Sequence, residues 1–177
     1  MANNIMTWKI MFLGPKGTGK TSIINRIVYD IFAEVPKKIE KGEFLEKKIS
    51  CETPDGEVSL TLLISEQDSD NLYLQKLKNT KIGLIVTDVT NIDSLYEAEE
   101  MADKILKTVG NIHLVFLGNK SDSKYQALFW EEDLEDLAKR FKAIYAVVSA
   151  KSGENILNTL KRICFTINAQ ENRKIVA

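Results

Sequence analysis

Residues 14–21 read GPKGTGKT and decide the fold, because they match the phosphate-binding pattern G-x-x-x-x-G-K-[ST]. Five of the six residues before them, 8–13, are apolar and predict a buried strand, and apolar residues recur at helical spacing over 23–32. A strand, a glycine-rich turn and a helix start direct backbone N–H groups and the positive end of a helix dipole at one small volume. We therefore predict a nucleotide phosphate site here rather than a chance glycine-rich turn.

Each residue type in this loop suits that chemistry. Glycines let the backbone approach phosphate oxygens, since no Cβ intervenes and positive φ is permitted. The lysine ammonium can reach the β and γ phosphates, and the hydroxyl that follows it can ligate Mg²⁺. The predicted phosphate-binding residues are Gly14, Lys16, Gly17, Thr18, Gly19, Lys20, Thr21 and Ser22, and Thr21 is also the predicted metal ligand.

Composition restricts the remaining possibilities. The 177 residues suffice for one sizeable core, and we predict a single domain over 1–177. The 24 basic and 25 acidic residues nearly cancel, which argues against a nucleic-acid partner. Two cysteines without metal-ligand spacing favour reduced thiols in a cytoplasmic protein. Ala2 and the cysteine-free end ENRKIVA predict that there is no covalent lipid anchor.

Strand-length apolar runs alternate with amphipathic stretches, which is typical of a mainly parallel sheet with helices on both faces. The predicted strands after the first lie at 58–64, 82–86, 114–117 and 143–148. Helices are predicted around 72–77, 95–109, 134–141 and 156–167. The turn at 53–56 predicts that 43–52 and 57–64 form an antiparallel hairpin at the sheet edge.

A second motif predicts the base. Asn119, Lys120, Ser121 and Asp122 form an N-K-x-D pattern at the carboxyl end of a predicted strand, where open α/β sheets bind ligands. An ionised Asp122 only accepts hydrogen bonds, which suits the two adjacent donors of guanine and not the acceptor of adenine. The Lys120 stem can cover the base plane, and Asn119 can tie this loop to the phosphate loop. On its own, the motif would indicate only a polar turn.

A third loop supports guanine. Ser149, Ala150 and Lys151 follow the next predicted strand, where the Ala150 N–H can donate to guanine O6. Each of the three loops lies at the carboxyl end of a predicted parallel strand, and together they are a strong signal. The predicted base-pocket residues are Asn119, Lys120, Asp122, Ser149, Ala150 and Lys151.

On these motifs the chain resembles the Ras-like small GTPases, Rab-like members in particular. The run IVTDVTN at 85–91 and the residues GEN at 153–155 add to the resemblance, which covers residues 7–168. It implies a P-loop NTPase fold of the α/β class, with a six-stranded, mainly parallel sheet, one antiparallel edge strand and five helices. It also implies GTP or GDP binding with Mg²⁺, and protein effectors or regulators at regions 31–49 and 65–78.

The sequence departs from the family where the family senses the γ-phosphate. Residues 23–52 contain no threonine to match the one in the family's first switch loop. The family's D-x-x-G-Q is also missing, with Ser65, Asp68 and Ser69 at its aspartate, glycine and glutamine. Gln67 stands two residues early and is the one weak catalytic candidate.

Two hypotheses follow from this contrast. The first is a guanine-nucleotide switch with slow intrinsic GTP hydrolysis, and the second is a pseudo-GTPase scaffold that binds nucleotide without switching or hydrolysis. Lys16 stands where Ras has glycine and would crowd the γ-phosphate, and Glu66 or Asp68 can replace the missing acidic Mg²⁺ partner through a bridging water. The N-K-S-D loop disfavours an ATP-dependent P-loop kinase.

Overall fold

The structure is a computed structural model that describes residues 5–40, 42–54, 56–68 and 73–176. Six strands and five α-helices lie within these ranges. The strands are β1 (Ile5–Gly14), β2 (Leu45–Thr53), β3 (Gly56–Asp68), β4 (Ile82–Asp88), β5 (His113–Asn119) and β6 (Ile144–Val147). The helices are α1 (Lys20–Tyr29), α2 (Tyr73–Lys76), α3 (Ile92–Thr108), α4 (Glu131–Phe141) and α5 (Ile156–Val176), with a 3₁₀ turn at Lys124–Gln126.

The six strands form one sheet in the order β2-β3-β1-β4-β5-β6. Neighbouring strands run parallel, except that β2 and β3 pair antiparallel with Leu45 opposite Ile64. This confirms the predicted fold class and the hairpin at the sheet edge. Asp55, at the predicted turn of the hairpin, lies outside the described residues.

Both faces of the sheet are buried under helices. Successive strand residues point to opposite faces, so in β1 the side chains of Ile10 and Phe12 pack in the cluster that contains α1 and α5 residues. Met11 and Leu13 pack in the cluster of α3 and α4 residues. Burying a side chain such as Phe12 contributes about 1.5–3 kcal/mol. The central strand β4 is buried along its whole length, as expected for a parallel strand covered on both faces.

Several elements differ from their predicted bounds; α5, for example, was predicted to end at residue 167 and continues to Val176. The helix predicted around 72–77 is the single turn α2, and Leu72 lies outside the described residues. The strand predicted to end at residue 64 continues to Asp68, because β1 pairs with it as far as Gly14 opposite Asp68. This extension brings the side chains of residues 65–68 to the carboxyl edge of the sheet.

Among the described residues, no helix has the length and apolarity that crossing a membrane requires.

Candidate nucleotide-binding site

The loop between β1 and α1 surrounds an open cleft, because its glycines take backbone conformations that other residues disfavour. Gly14, Gly17 and Gly19 have φ values of 139°, 82° and 94°. A Cβ on Gly14 would lie 2.4 Å from the Val86 carbonyl oxygen, and one on Gly19 would lie 2.2 Å from Asn119 Nδ2. Around Gly17 nothing lies within 4 Å of the Cβ position. The loop is therefore packed against β4 and β5 at both ends and open to a ligand at its middle.

The cleft is a cavity of about 640 Å³, a size typical of small-molecule sites. Eleven of the predicted site residues line it: Lys16, Gly17, Gly19, Lys20, Thr21, Ser22, Asn119, Lys120, Asp122, Ala150 and Lys151. The other three, Gly14, Thr18 and Ser149, are buried and lie behind the lining. The structure thus brings together the three loops that were predicted from separate parts of the sequence.

Lys20 is the cation at the centre of the phosphate loop. Its side chain is only 6% exposed, and its ammonium donates to the carbonyl oxygens of Gly14 (2.8 Å) and Pro15 (2.9 Å). The Asp68 carboxylate forms an ion pair with the same ammonium, with Oδ1 2.9 Å from Nζ. Since a lysine ammonium has three protons to donate, these three acceptors engage all of them.

Thr21 and Glu66 form the second polar pair at this end of the cleft. The Thr21 hydroxyl donates to the Glu66 carboxylate, at 2.8 and 2.9 Å from its two oxygens. Burial raises the pKa of Glu66 above its usual range, although the Thr21 hydrogen bond and the nearby Lys20 charge lower it. Hydroxyl and carboxylate oxygens are ligands that Mg²⁺ prefers, and Mg²⁺ keeps several waters beside one or two carboxylates. The pair therefore fits a Mg²⁺ ion bound together with nucleotide phosphates.

Asn119 joins the three loops. Its Nδ2 donates to the Thr18 carbonyl oxygen at 2.9 Å, and its Oδ1 accepts the Ala150 N–H at 3.1 Å. The side chain is 2% exposed, so losing either bond would leave a buried polar group unsatisfied. The Ala150 N–H was expected to face guanine O6. In the structure Asn119 accepts it, so a base oxygen would have to share or displace this bond.

Asp122 presents a carboxylate that is fixed from one side. The Ser149 hydroxyl donates to Oδ1 at 2.6 Å and itself accepts the Ser152 N–H at 3.1 Å. Ser149 therefore positions Asp122 and does not line the cleft itself. The other oxygen of Asp122 is 3.5 Å from the Ser123 hydroxyl, and the residue is exposed. A carboxylate held in this way can accept the paired donors of a guanine edge.

Lys120 is held by a residue that was not predicted as part of the site. Its ammonium donates to the Gly17 carbonyl oxygen (2.9 Å) and to Asp88 Oδ2 (2.6 Å). Asp88 ends β4, and its other oxygen accepts the backbone N–H and the hydroxyl of Thr90. An acidic residue at the carboxyl end of a parallel strand was the available signal, but the sequence does not show that it faces Lys120.

Arg26, in α1, is a second positioning residue that was not predicted. Its guanidinium donates to the backbone carbonyl oxygens of Ala150 (3.1 Å) and Lys151 (2.7 Å). The helix that follows the phosphate loop thereby fixes the third loop as well.

Phe32 was assigned to the wrong environment. Its helical spacing placed it on the apolar face of the first helix, but α1 ends at Tyr29 and Asp30 follows in the left-handed region at φ 54°. Phe32 instead lines the cavity and is 39% exposed. An aromatic ring beside a base can stack on it, which contributes about 1–3 kcal/mol in single-stranded nucleic-acid complexes.

Gln67, the weak catalytic candidate, is not brought to the cleft. Side-chain alternation along β3 puts Glu66 and Asp68 on the cavity side and Gln67 on the other face. There Gln67 is 7% exposed, and its Oε1 accepts a hydrogen bond from Lys76 Nζ at 2.5 Å. In this arrangement it does not orient a water at the phosphate loop. Ser69, at the family's glutamine position, lies outside the described residues.

Residues 9–169 match the family model of the Ras family. Since the match spans nearly the whole chain, the protein belongs to the Ras family, and the resemblance to Ras-like small GTPases is confirmed. Proteins of this family bind GTP and GDP, generally with Mg²⁺, and interact with effectors and regulators. The chain is therefore a GTP-binding small GTPase.

Proposed function

We propose that the protein is a Rab-like GTP/GDP switch that selects guanine and hydrolyses GTP slowly. The observation that carries the proposal is the Asn119 junction, which holds the phosphate loop and both base loops around one cavity. Asp122 supplies the acceptor for the guanine edge, and Lys20 supplies the cation for the phosphates. Phe32, which lines the same cavity, would stack on the base.

Slow hydrolysis follows from the residues around the end of β3. We call this part of the cleft the β3 side; it holds Glu66 and Asp68 with their partners Thr21 and Lys20. Thr21 and Glu66 would hold Mg²⁺, which when bound neutralises charge on the phosphate oxygens. No residue predicted to orient the attacking water is at the cavity among the described residues, because Gln67 points to the opposite face of the sheet. An unoriented water reacts slowly in this class of enzyme.

A pseudo-GTPase scaffold is the second candidate, and one observation favours it. Asp68 already occupies the third donor of Lys20, so the lysine reaches a third phosphate only by releasing a carboxylate. If Asp68 keeps its ion pair with Lys20, nucleotide would bind without driving a conformational change. The two candidates share the same base pocket and differ in what happens at the β3 side.

We also propose protein effectors or regulators at regions 31–49 and 65–78, and no nucleic-acid partner. The first region supports this with exposed apolar side chains, of which Ile31, Val35 and Phe44 are 49%, 84% and 44% exposed. Residues 41 and 69–72 of these regions lie outside the described structure.

We further propose a single domain, since the described strands join one sheet. We also propose a cytoplasmic location, since Cys51 and Cys164 are free and buried.

Nucleotide competition tests the proposal. The purified chain, stripped of nucleotide and supplied with Mg²⁺, is titrated with a fluorescent GDP and challenged with unlabelled GTP, GDP, ATP or ADP. We expect GTP and GDP to displace the probe at far lower concentrations than ATP and ADP. Equal competition by adenine and guanine nucleotides would contradict the assignment of Asp122.

A further inference from the structure

The strand order fixes which end of the cleft holds which part of a nucleotide. The base loop with Asp122 follows β5, the phosphate loop follows β1, and Glu66 and Asp68 end β3. In the order β3-β1-β4-β5, Asp122 and the two carboxylates lie on opposite sides of the phosphate loop. A nucleotide with its base at Asp122 therefore extends its phosphates towards β3. The third phosphate, furthest from the base, comes nearest to Glu66 and Asp68.

These two carboxylates face different groups. Glu66 accepts a hydrogen bond from the Thr21 hydroxyl, and this pair would hold the Mg²⁺ ion, whose charge would offset that of the carboxylate. Asp68 instead pairs with Lys20, the cation that the phosphates themselves need. The strand register also places Asp68 directly opposite Gly14, beside the start of the phosphate loop.

A phosphate oxygen reaches Lys20 only by displacing an acceptor. The Gly14 and Pro15 oxygens belong to the backbone of a packed loop, whereas Asp68 has a side chain that is 47% exposed and can turn away. Even when it leaves Lys20, its carboxylate stays on a residue directly opposite Gly14, near the phosphate loop, and like charges at short range repel. GDP, which lacks the third phosphate, meets less of this repulsion than GTP.

We propose that Asp68 is a specificity-determining residue that favours GDP over GTP, because it holds Lys20 in place of the third phosphate and repels that phosphate. The proposal rests on the guanine-nucleotide function proposed above. In this proposal, the Asp68 carboxylate makes the affinity for GDP higher than the affinity for GTP.

The variant Asp68→Asn tests this directly, since the amide keeps the shape and removes the charge. Dissociation constants for GDP and for a non-hydrolysable GTP analogue are measured by calorimetry on the full chain with Mg²⁺. We expect the wild-type chain to bind GDP more tightly than the analogue. In Asp68→Asn that preference should shrink by about tenfold, mainly through tighter binding of the analogue, a modest factor because Asp68 is half-exposed and screened.

Asp103→Asn is the matched control. Asp103 also pairs with a lysine, Lys107, but on the exposed surface of α3, away from the cleft. The same loss of charge there should leave the ratio of the two dissociation constants unchanged. Equal shifts in both variants would show a general charge effect and would overturn the role of Asp68.

The outcomes separate this inference from the proposed function. If both nucleotides bind and Asp68→Asn leaves their ratio unchanged, the inference is wrong and the guanine site stands. If the wild-type chain binds neither nucleotide, the proposed function is wrong.

A measurement without any variant covers the case in which Asp68→Asn misfolds. Raising the salt concentration should narrow the wild-type preference for GDP, because salt screens the repulsion. A salt-independent ratio would contradict the inference.

Discussion

The base side and the β3 side of the cleft are built in different ways. On the base side, hydrogen bonds from Asn119 and Ser149 connect three loops and fix Asp122. On the β3 side, the two phosphate-loop residues that should meet phosphate and metal, Lys20 and Thr21, each contact a carboxylate of the protein itself. Under the proposed function, recognition of the base and use of the third phosphate therefore depend on separate residues.

The largest effect should come from Lys20→Ala, which removes the cation that the phosphates of both GDP and GTP need. A hydrogen bond to a charged group contributes about 1.5–3 kcal/mol, so affinity for GDP and GTP should fall roughly ten- to hundredfold or more. Calorimetric titration measures the loss. Lys124→Ala, in the exposed 3₁₀ turn, is the control and should bind as the wild type does. Unchanged affinity in Lys20→Ala would place the phosphates elsewhere.

Asp122→Asn should change base choice without affecting the β3 side. The amide can donate to the added carbonyl of xanthine, while its oxygen can still accept the Ser149 hydroxyl. We expect GDP affinity to fall and xanthosine diphosphate affinity to rise, as read by competition. Asp136→Asn, exposed on α4, should change neither. If Asp122→Asn keeps its guanine preference, the base does not meet this carboxylate.

Glu66→Gln should lower the affinity of the GDP complex for Mg²⁺. Burial raises the folded pKa of Glu66, with Thr21, Lys20 and Asp68 the other groups facing it. Because the folded pKa is the higher one, the contribution of Glu66 to the free energy of unfolding is fully present below its unfolded pKa. That contribution is lost as pH rises through the folded pKa. Bound Mg²⁺ favours the ionised carboxylate, so Mg²⁺ affinity of the GDP complex should fall as pH drops through that pKa.

Mg²⁺ titrations of the GDP complex across the acidic range measure this effect. Glu66→Gln should bind Mg²⁺ more weakly and lose the part of the pH dependence that comes from Glu66. Glu132→Gln, on the exposed start of α4, should retain the full dependence. The same pH profile in Glu66→Gln and wild type would remove Glu66 from the metal site.

The smallest expected effect is a difference in melting temperature between alanine substitutions at two glycines of the phosphate loop. Gly17 and Gly19 both have positive φ, so alanine strains the backbone at either position, by about 1–3 kcal/mol. Only the Cβ at Gly19 would collide with Asn119, at 2.2 Å from Nδ2. Gly19→Ala should therefore lower the melting temperature of the nucleotide-free chain by a few degrees more than Gly17→Ala. Equal losses would mean that Asn119 does not anchor the loops.

Local pattern was sufficient to predict which residues the structure gathers on the base side of the cleft. The phosphate loop and the N-K-x-D loop each depend on residue types within a few positions, between a strand and a helix or at a strand end. The contacts between the loops depend on residues far apart in sequence, as when Asn119 takes the Ala150 N–H that was expected to face the base. The partner of a backbone donor cannot be read from spacing alone.

The β3 side could be predicted only in part. Acidic residues are disfavoured in strands, so residues 65–68 were not assigned to one, yet pairing with β1 extends β3 through them. That extension decides which side chains face the cleft, and hence that Gln67 does not. Phe32 was misplaced because the left-handed residue Asp30, which ends α1, interrupts a helical spacing that otherwise continues.

Single-turnover hydrolysis tests the central claim most directly, that this chain binds guanine nucleotide and that none of its described residues at the cleft orients the attacking water. The full chain is loaded with radiolabelled GTP and Mg²⁺, and phosphate release is followed alongside retention of bound nucleotide. We predict stable guanine-nucleotide binding with a rate constant no higher than about 10⁻⁴ s⁻¹. A rate constant well above this, with no activating protein present, would contradict the account, because it would show that other residues on the β3 side orient the water.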